Sequence, residues 1–159
     1  MALTGEPLPL PAAIRLERLL PAPVAEVFAA WTDPARMTWL APRGHAEVEA
    51  DLRVGGRFRV TMIDDDVRIE HTGQYLVIDP PHRLSFTWLS PYTGGAASQV
   101  DITLTARGPA THLVLSHQRL PDETRSSHEG GWASILDRLA AVVADRTSPT
   151  RPASTEGIS

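Results

Sequence analysis

The sequence predicts an α+β domain in which a curved antiparallel sheet of about six or seven strands wraps a long C-terminal helix. Three observations carry that reading. Alternation of apolar and polar residues with period two fills the middle of the chain. A short apolar stripe at helical spacing interrupts the pattern near its start, and a long one follows the last strand. At 159 residues with 42% hydrophobic side chains, the chain has enough material for one continuous core.

Taken in order, residues 14–20 read as a strand, with Ile14 and Leu16 opposing Arg15 and Glu17 until Pro21 stops it. The spacing then changes. Pro23 suits a first helical turn, and Val24, Val27, Phe28 and Trp31 fall on one stripe. Asp33 before Pro34 is a second cap-and-start signal, which predicts a further short helix to Trp39 before Pro42 and Gly44 break it. Ala46, Val48 and Ala50 alternate with acidic residues. After Gly55 and Gly56, whose expected role is a turn with positive φ, Phe58, Val60 and Met62 alternate with Arg57, Arg59 and Thr61. Asp64 to Asp66 forms a polar turn, and a long strand follows from Val67 to Ile78, with Gly73 as its expected bulge and Pro80 and Pro81 as its end. Further inward rows are Leu84, Phe86 and Trp88; Val100, Ile102 and Leu104; and Leu113, Leu115 and His117. Beyond Pro121, His128, Trp132, Ile135, Leu136, Leu139 and Val143 share one helical face, opposite Glu129, Asp137 and Arg138. The expected layout is a Pro-rich flexible arm over 1–13, a single domain over 14–146 and a disordered tail over 147–159, with no internal repeat.

Composition narrows the function. Net charge is −4, and no basic stripe exists for a phosphate backbone, so nucleic acid is not an expected partner. No apolar run approaches the roughly 20 residues that span a bilayer, and the opening prolines do not suit a signal peptide; a cytoplasmic protein without membrane insertion is expected. All basic residues are Arg, and Lys, Asn and Cys are absent. Schiff-base lysines, P-loops, N-glycosylation, thiolate nucleophiles and disulfides are thereby excluded.

The strings VFAAWTDP, DLRVGGRF, GQYLVIDPPHRLSFTW and HEGGWASILDRL, in that order across residues 14–146, resemble the bacterial homologues of the activator of the heat-shock-protein-90 ATPase, within the START-like SRPBCC superfamily. The resemblance implies the helix-grip fold, in which sheet and terminal helix enclose a cavity. It also implies a range of functions: lipid carriers, polyketide cyclases, toxin-sequestering proteins and co-chaperones. In such a fold the expected pocket takes Trp31 and Trp39 from the helical elbow, and Phe58, Val60, Met62, His71, Tyr75, Phe86, Trp88 and His117 from strands. From the helix it takes His128, Trp132, Ile135, Leu136 and Leu139. The function expected first is binding of a small hydrophobic, aromatic or lipid-like molecule by a monomer or homodimer. A cyclase-like enzyme working in the same cavity is the alternative, and a co-chaperone-like stress protein the third reading.

Chemistry-bearing residues are few. His117, His71 and Tyr75 are the candidates for acid–base work, since their rows face the expected cavity. No metal site and no cofactor are expected, because no HExxH or two-His-one-carboxylate spacing is present. His117 and His128 read as a structural hydrogen-bonding pair. No serine sits in a nucleophile turn such as GxSxG, and RVGGRF precedes a strand, unlike a phosphate cradle. Arg53, Arg57 and Arg59 beside it read as a solvated face.

Overall fold

The computed structural model describes residues 14–147. The expected arm over 1–13 and residues 148–159 of the expected tail lie outside that range, whereas residue 147 still belongs to the last helix. The elements are β1 (Ile14–Leu20), α1 (Val24–Thr32), a 3-10 turn (Pro34–Arg36), β2 (His45–Ala50), β3 (Arg57–Asp64), β4 (Val67–Asp79), β5 (Arg83–Trp88), β6 (Ser98–Arg107), β7 (Ala110–Gln118) and α2 (Asp122–Thr147). The seven strands form one sheet in the order β1-β7-β6-β5-β4-β3-β2, and every neighbouring pair is antiparallel. Strands two to seven therefore run as a meander, and only β1 crosses the sheet to pair with β7.

Each element forms for a visible reason. In α1 the stripe of Val27, Phe28 and Trp31 is buried, and Thr32 closes the last turn by donating to the Phe28 carbonyl at 2.9 Å. Asp33 then accepts from the amide of Ala35 with Pro34 at the first position. The helix expected to reach Trp39 is only this 3-10 turn. Its continuation unwinds because the chain must deliver Met37, Trp39, Leu40 and Ala41 to the core, and helical spacing would bring only some of them there. The inward rows of β6 and β7 bury Val100, Ile102, Leu104, Leu113 and Leu115 against Leu136, Leu139 and Val143 of α2, whose other face is solvated. Burying one Leu or Ile of this set stabilises the fold by about 1.5–3 kcal/mol.

Two glycine expectations are corrected. The register break in β4 falls between Tyr75 and Val77, so the bulge centres on Leu76, not Gly73. Gly73 is needed for close approach: a Cβ there would stand 2.0 Å from the Thr87 carbonyl oxygen and 2.3 Å from the Phe58 ring that lies over it. At the β2–β3 turn Gly55 has φ +84°, as expected, but Gly56 is required because a Cβ would meet the Asp51 carbonyl oxygen at 2.0 Å.

Candidate functional site

Where the first half of α2 faces β3, β4 and β5, the two layers separate and leave a cavity of about 320 Å³. Its walls are Met62, Ile69, His71 and Trp88 from the sheet; Ser127, His128, Gly131, Trp132 and Ile135 from α2; and Pro42, Arg43 and Tyr92 from loops at its rim. Beyond it the interface closes. The space among Phe58, Val60, Tyr75, Phe86 and their neighbours holds only about 10 Å³, room for no more than a single water molecule.

The expected pocket residues therefore fall into two groups. Met62, His71, Trp88, His128, Trp132 and Ile135 border the cavity. Trp31, Trp39, Phe58, Val60, Tyr75, Phe86, His117, Leu136 and Leu139 belong to the solid core behind it. Ile69, Gly131, Ser127, Pro42, Arg43 and Tyr92 also border it and were not anticipated. Ile69 was detectable, because it precedes His71 by two on the same strand face. Gly131 was also marked, as one of two adjacent glycines inside a helical pattern.

The aromatic wall is continuous. Trp88 and Trp132 lie with ring centroids 5.4 Å apart, and the His71 ring rests against Trp88 at 4.8 Å. Behind them His117 is fully buried and fully engaged. The indole Nε1–H of Trp132 donates to His117 Nδ1 at 2.9 Å, so that nitrogen is an acceptor and the ring proton sits on Nε2. His117 Nε2–H then donates to Ser98 Oγ at 2.7 Å, and Ser98 Oγ–H donates to the Trp88 carbonyl at 2.6 Å. This relay joins α2 to β7, β6 and β5, and every donor in it has an acceptor.

Burial is the main reason that the His117 pKa falls to about 3, helped by the nearby His128 and His71. His71 is also driven down, to about 4, chiefly by burial. Tyr75 is pushed up to about 12 by burial among Phe58, Phe86 and their neighbours. The expected hydrogen bond between His117 and His128 is absent; their rings meet edge to face at 5.2 Å, since both His117 nitrogens are taken and His128 Nδ1 donates to the Thr124 carbonyl at 2.9 Å. Among the described residues no group of three or more His, Asp or Glu side chains is placed to hold a metal ion.

One rim of the cavity is tied down by Arg138, whose guanidinium donates to the carbonyls of Ala41 and Gly44, the latter at 2.7 Å. Pro42 and Arg43 lie between those anchors. On the outer face of the sheet Arg59 bridges Glu49 and Glu70 at 2.9 and 3.6 Å, and in the β2–β3 turn Arg53 pairs with Asp51 at 2.8 Å. These exposed pairs contribute little to stability. No helix among the described residues is long and apolar enough to cross a membrane.

A family profile described as Activator of Hsp90 ATPase homolog 1-like protein matches residues 21–144. Solved structures are similar as well. The AHSA1 protein of Silicibacter pomeroyi is 32% identical, with 82% of this chain and 96% of that chain covered and a TM-score of 0.71. CalU16 of Micromonospora echinospora is 28% identical over 83% of this chain and 76% of its own, with a TM-score of 0.65. DynU16, a protein of the dynemicin biosynthetic locus, is 28% identical over 80% of this chain and 45% of its own, with a TM-score of 0.67. No curated protein sequence matches.

Proposed function

The chain belongs to the family of Activator of Hsp90 ATPase homolog 1-like proteins, and from that premise we propose that it binds a small, planar, apolar molecule between the sheet and α2, as a carrier, sensor or sequestering protein. The observation that carries this reading is the cavity of about 320 Å³ beside an otherwise closed core. Its volume lies at the lower end of the range for small-molecule sites, and its walls combine aromatic surface with a few polar groups, the usual makeup of such sites. The Trp88–His71 and Trp88–Trp132 arrangement suits stacking on a flat ligand. Similarity to DynU16, from a biosynthetic locus, supports a role alongside small-molecule chemistry.

Gly131 provides the test. A Cβ placed there meets nothing within 4 Å, and the residue borders the cavity. Gly131→Phe should fill the space with its own ring while removing a helix-interior glycine, which costs about 0.5–1 kcal/mol relative to Ala. The neutral dye N-phenyl-1-naphthylamine should bind the parent with micromolar affinity and be displaced by planar apolar compounds. In Gly131→Phe its Kd should rise more than about tenfold while Tm is unchanged or higher. A variant that binds the dye as the parent does would place the ligand elsewhere.

A further inference from the structure

We propose that the cavity selects neutral, planar aromatic molecules bearing a hydroxyl hydrogen, because two polar atoms on its α2 wall, His128 Nε2 and Ser127 Oγ, are left as hydrogen-bond acceptors. This rests on the binding reading above and deepens it. His128 Nδ1 spends its proton on the Thr124 carbonyl, which leaves Nε2 of the neutral ring with a lone pair. Ser127 Oγ–H is spent on the same carbonyl at 3.1 Å, so that oxygen too has only lone pairs to offer.

An acceptor left unpaired against a bound ring is costly, and a hydroxyl hydrogen is the group that satisfies it. His71 borders the cavity from the sheet side, 6% exposed, with its Nδ1 sealed from solvent and without a hydrogen-bond partner.

Other ligand chemistries fit less well. A carboxylate would bring more lone pairs against lone pairs, and the one cation at the rim, Arg43, is largely exposed and lies 3.6 Å from Asp64. An ammonium group would find aromatic faces but no carboxylate among the residues lining the cavity. A hydroxyl on a flat apolar ring meets the acceptors without burying a charge.

The experiment is calorimetric titration at neutral pH with 2-naphthol, 2-methoxynaphthalene and 2-naphthoate, on the parent and on Ser127→Ala and His128→Leu. The expected Kd for 2-naphthol is at least about tenfold lower than for the methoxy compound, with naphthoate weakest. Each variant should narrow that gap while leaving methoxynaphthalene affinity unchanged within about twofold. Ser127 is exposed and His128 half-buried on the helix, so both variants should fold. Equal binding of naphthol and its methyl ether overturns the selectivity and leaves the binding reading standing. Tightest binding of naphthoate overturns it in favour of an anion site at Arg43. Silence with all three compounds and with N-phenyl-1-naphthylamine overturns both.

Discussion

Trp132→Ala should lower the unfolding free energy by about 3–5 kcal/mol. The side chain is 2% exposed, and its ring meets Trp88 at 5.4 Å, His117 at 6.0 Å and Trp31 at 6.4 Å, so truncation removes the contact that joins the first half of α2 to sheet and elbow. It also strips His117 Nδ1 of its only donor. Trp132→Phe separates the two contributions: it retains much of the packing but leaves the buried nitrogen bare, for an expected loss of about 1–3 kcal/mol. Urea denaturation at neutral pH measures both. A loss below about 1 kcal/mol for Trp132→Ala would mean that α2 is held chiefly by its second half.

The second large effect is on acid stability. His71 and His117 have ordinary values of 6.5, and in the folded protein these fall to about 4 and about 3. Both depressed values favour the neutral rings, so their contribution to stability is fully present above pH 6.5 and is lost as the pH falls toward 4 and then 3. Around pH 5 unfolding takes up nearly two protons at these sites, which gives a slope of about 2.7 kcal/mol per pH unit. The measurement is the urea midpoint as a function of pH. His71→Gln/His117→Gln removes both titrating rings, while a Gln at 117 can still accept from Trp132 and donate to Ser98, so most of this slope should vanish. An undiminished slope in the double variant would assign acid sensitivity to the carboxylates. Because His117 lies behind the cavity wall, His117→Gln alone should leave the affinity for N-phenyl-1-naphthylamine unchanged.

The rows of alternating residues made the sheet legible, and the spacing of Trp132, Ile135, Leu136, Leu139 and Val143 made the helix face legible, because burial on one side imposes its period on the sequence. The division between cavity and core was not legible in the same way. Phe58, Val60 and Met62 occupy one inward row, yet the first two are buried in the core whereas Met62 borders the open space. Alternation reports which way a side chain faces and not how far away the opposite layer lies. That distance depends on Gly131, which leaves a gap, and on a rim whose anchors are two backbone carbonyls held by Arg138. Backbone acceptors leave no trace in residue identity. Gly73 was misread for a related reason: bulges and close backbone approaches both call for glycine, and only the partner strand tells them apart.

The strand order also has a consequence for how the molecule comes together over time. From β3 to β7 each strand pairs with the one just before it, so those hairpins can form as soon as both strands of a pair exist. β1 cannot take its place in that sequence, because Ile14 lies opposite His117 and the chain must close a loop of roughly a hundred residues first. During synthesis β1 and the apolar stripe of α1 therefore wait unpaired until β7 has appeared, and α2 comes later still. The chamber that would receive a ligand is absent until the last element docks, so a nascent chain can bind nothing there before its fold is otherwise complete.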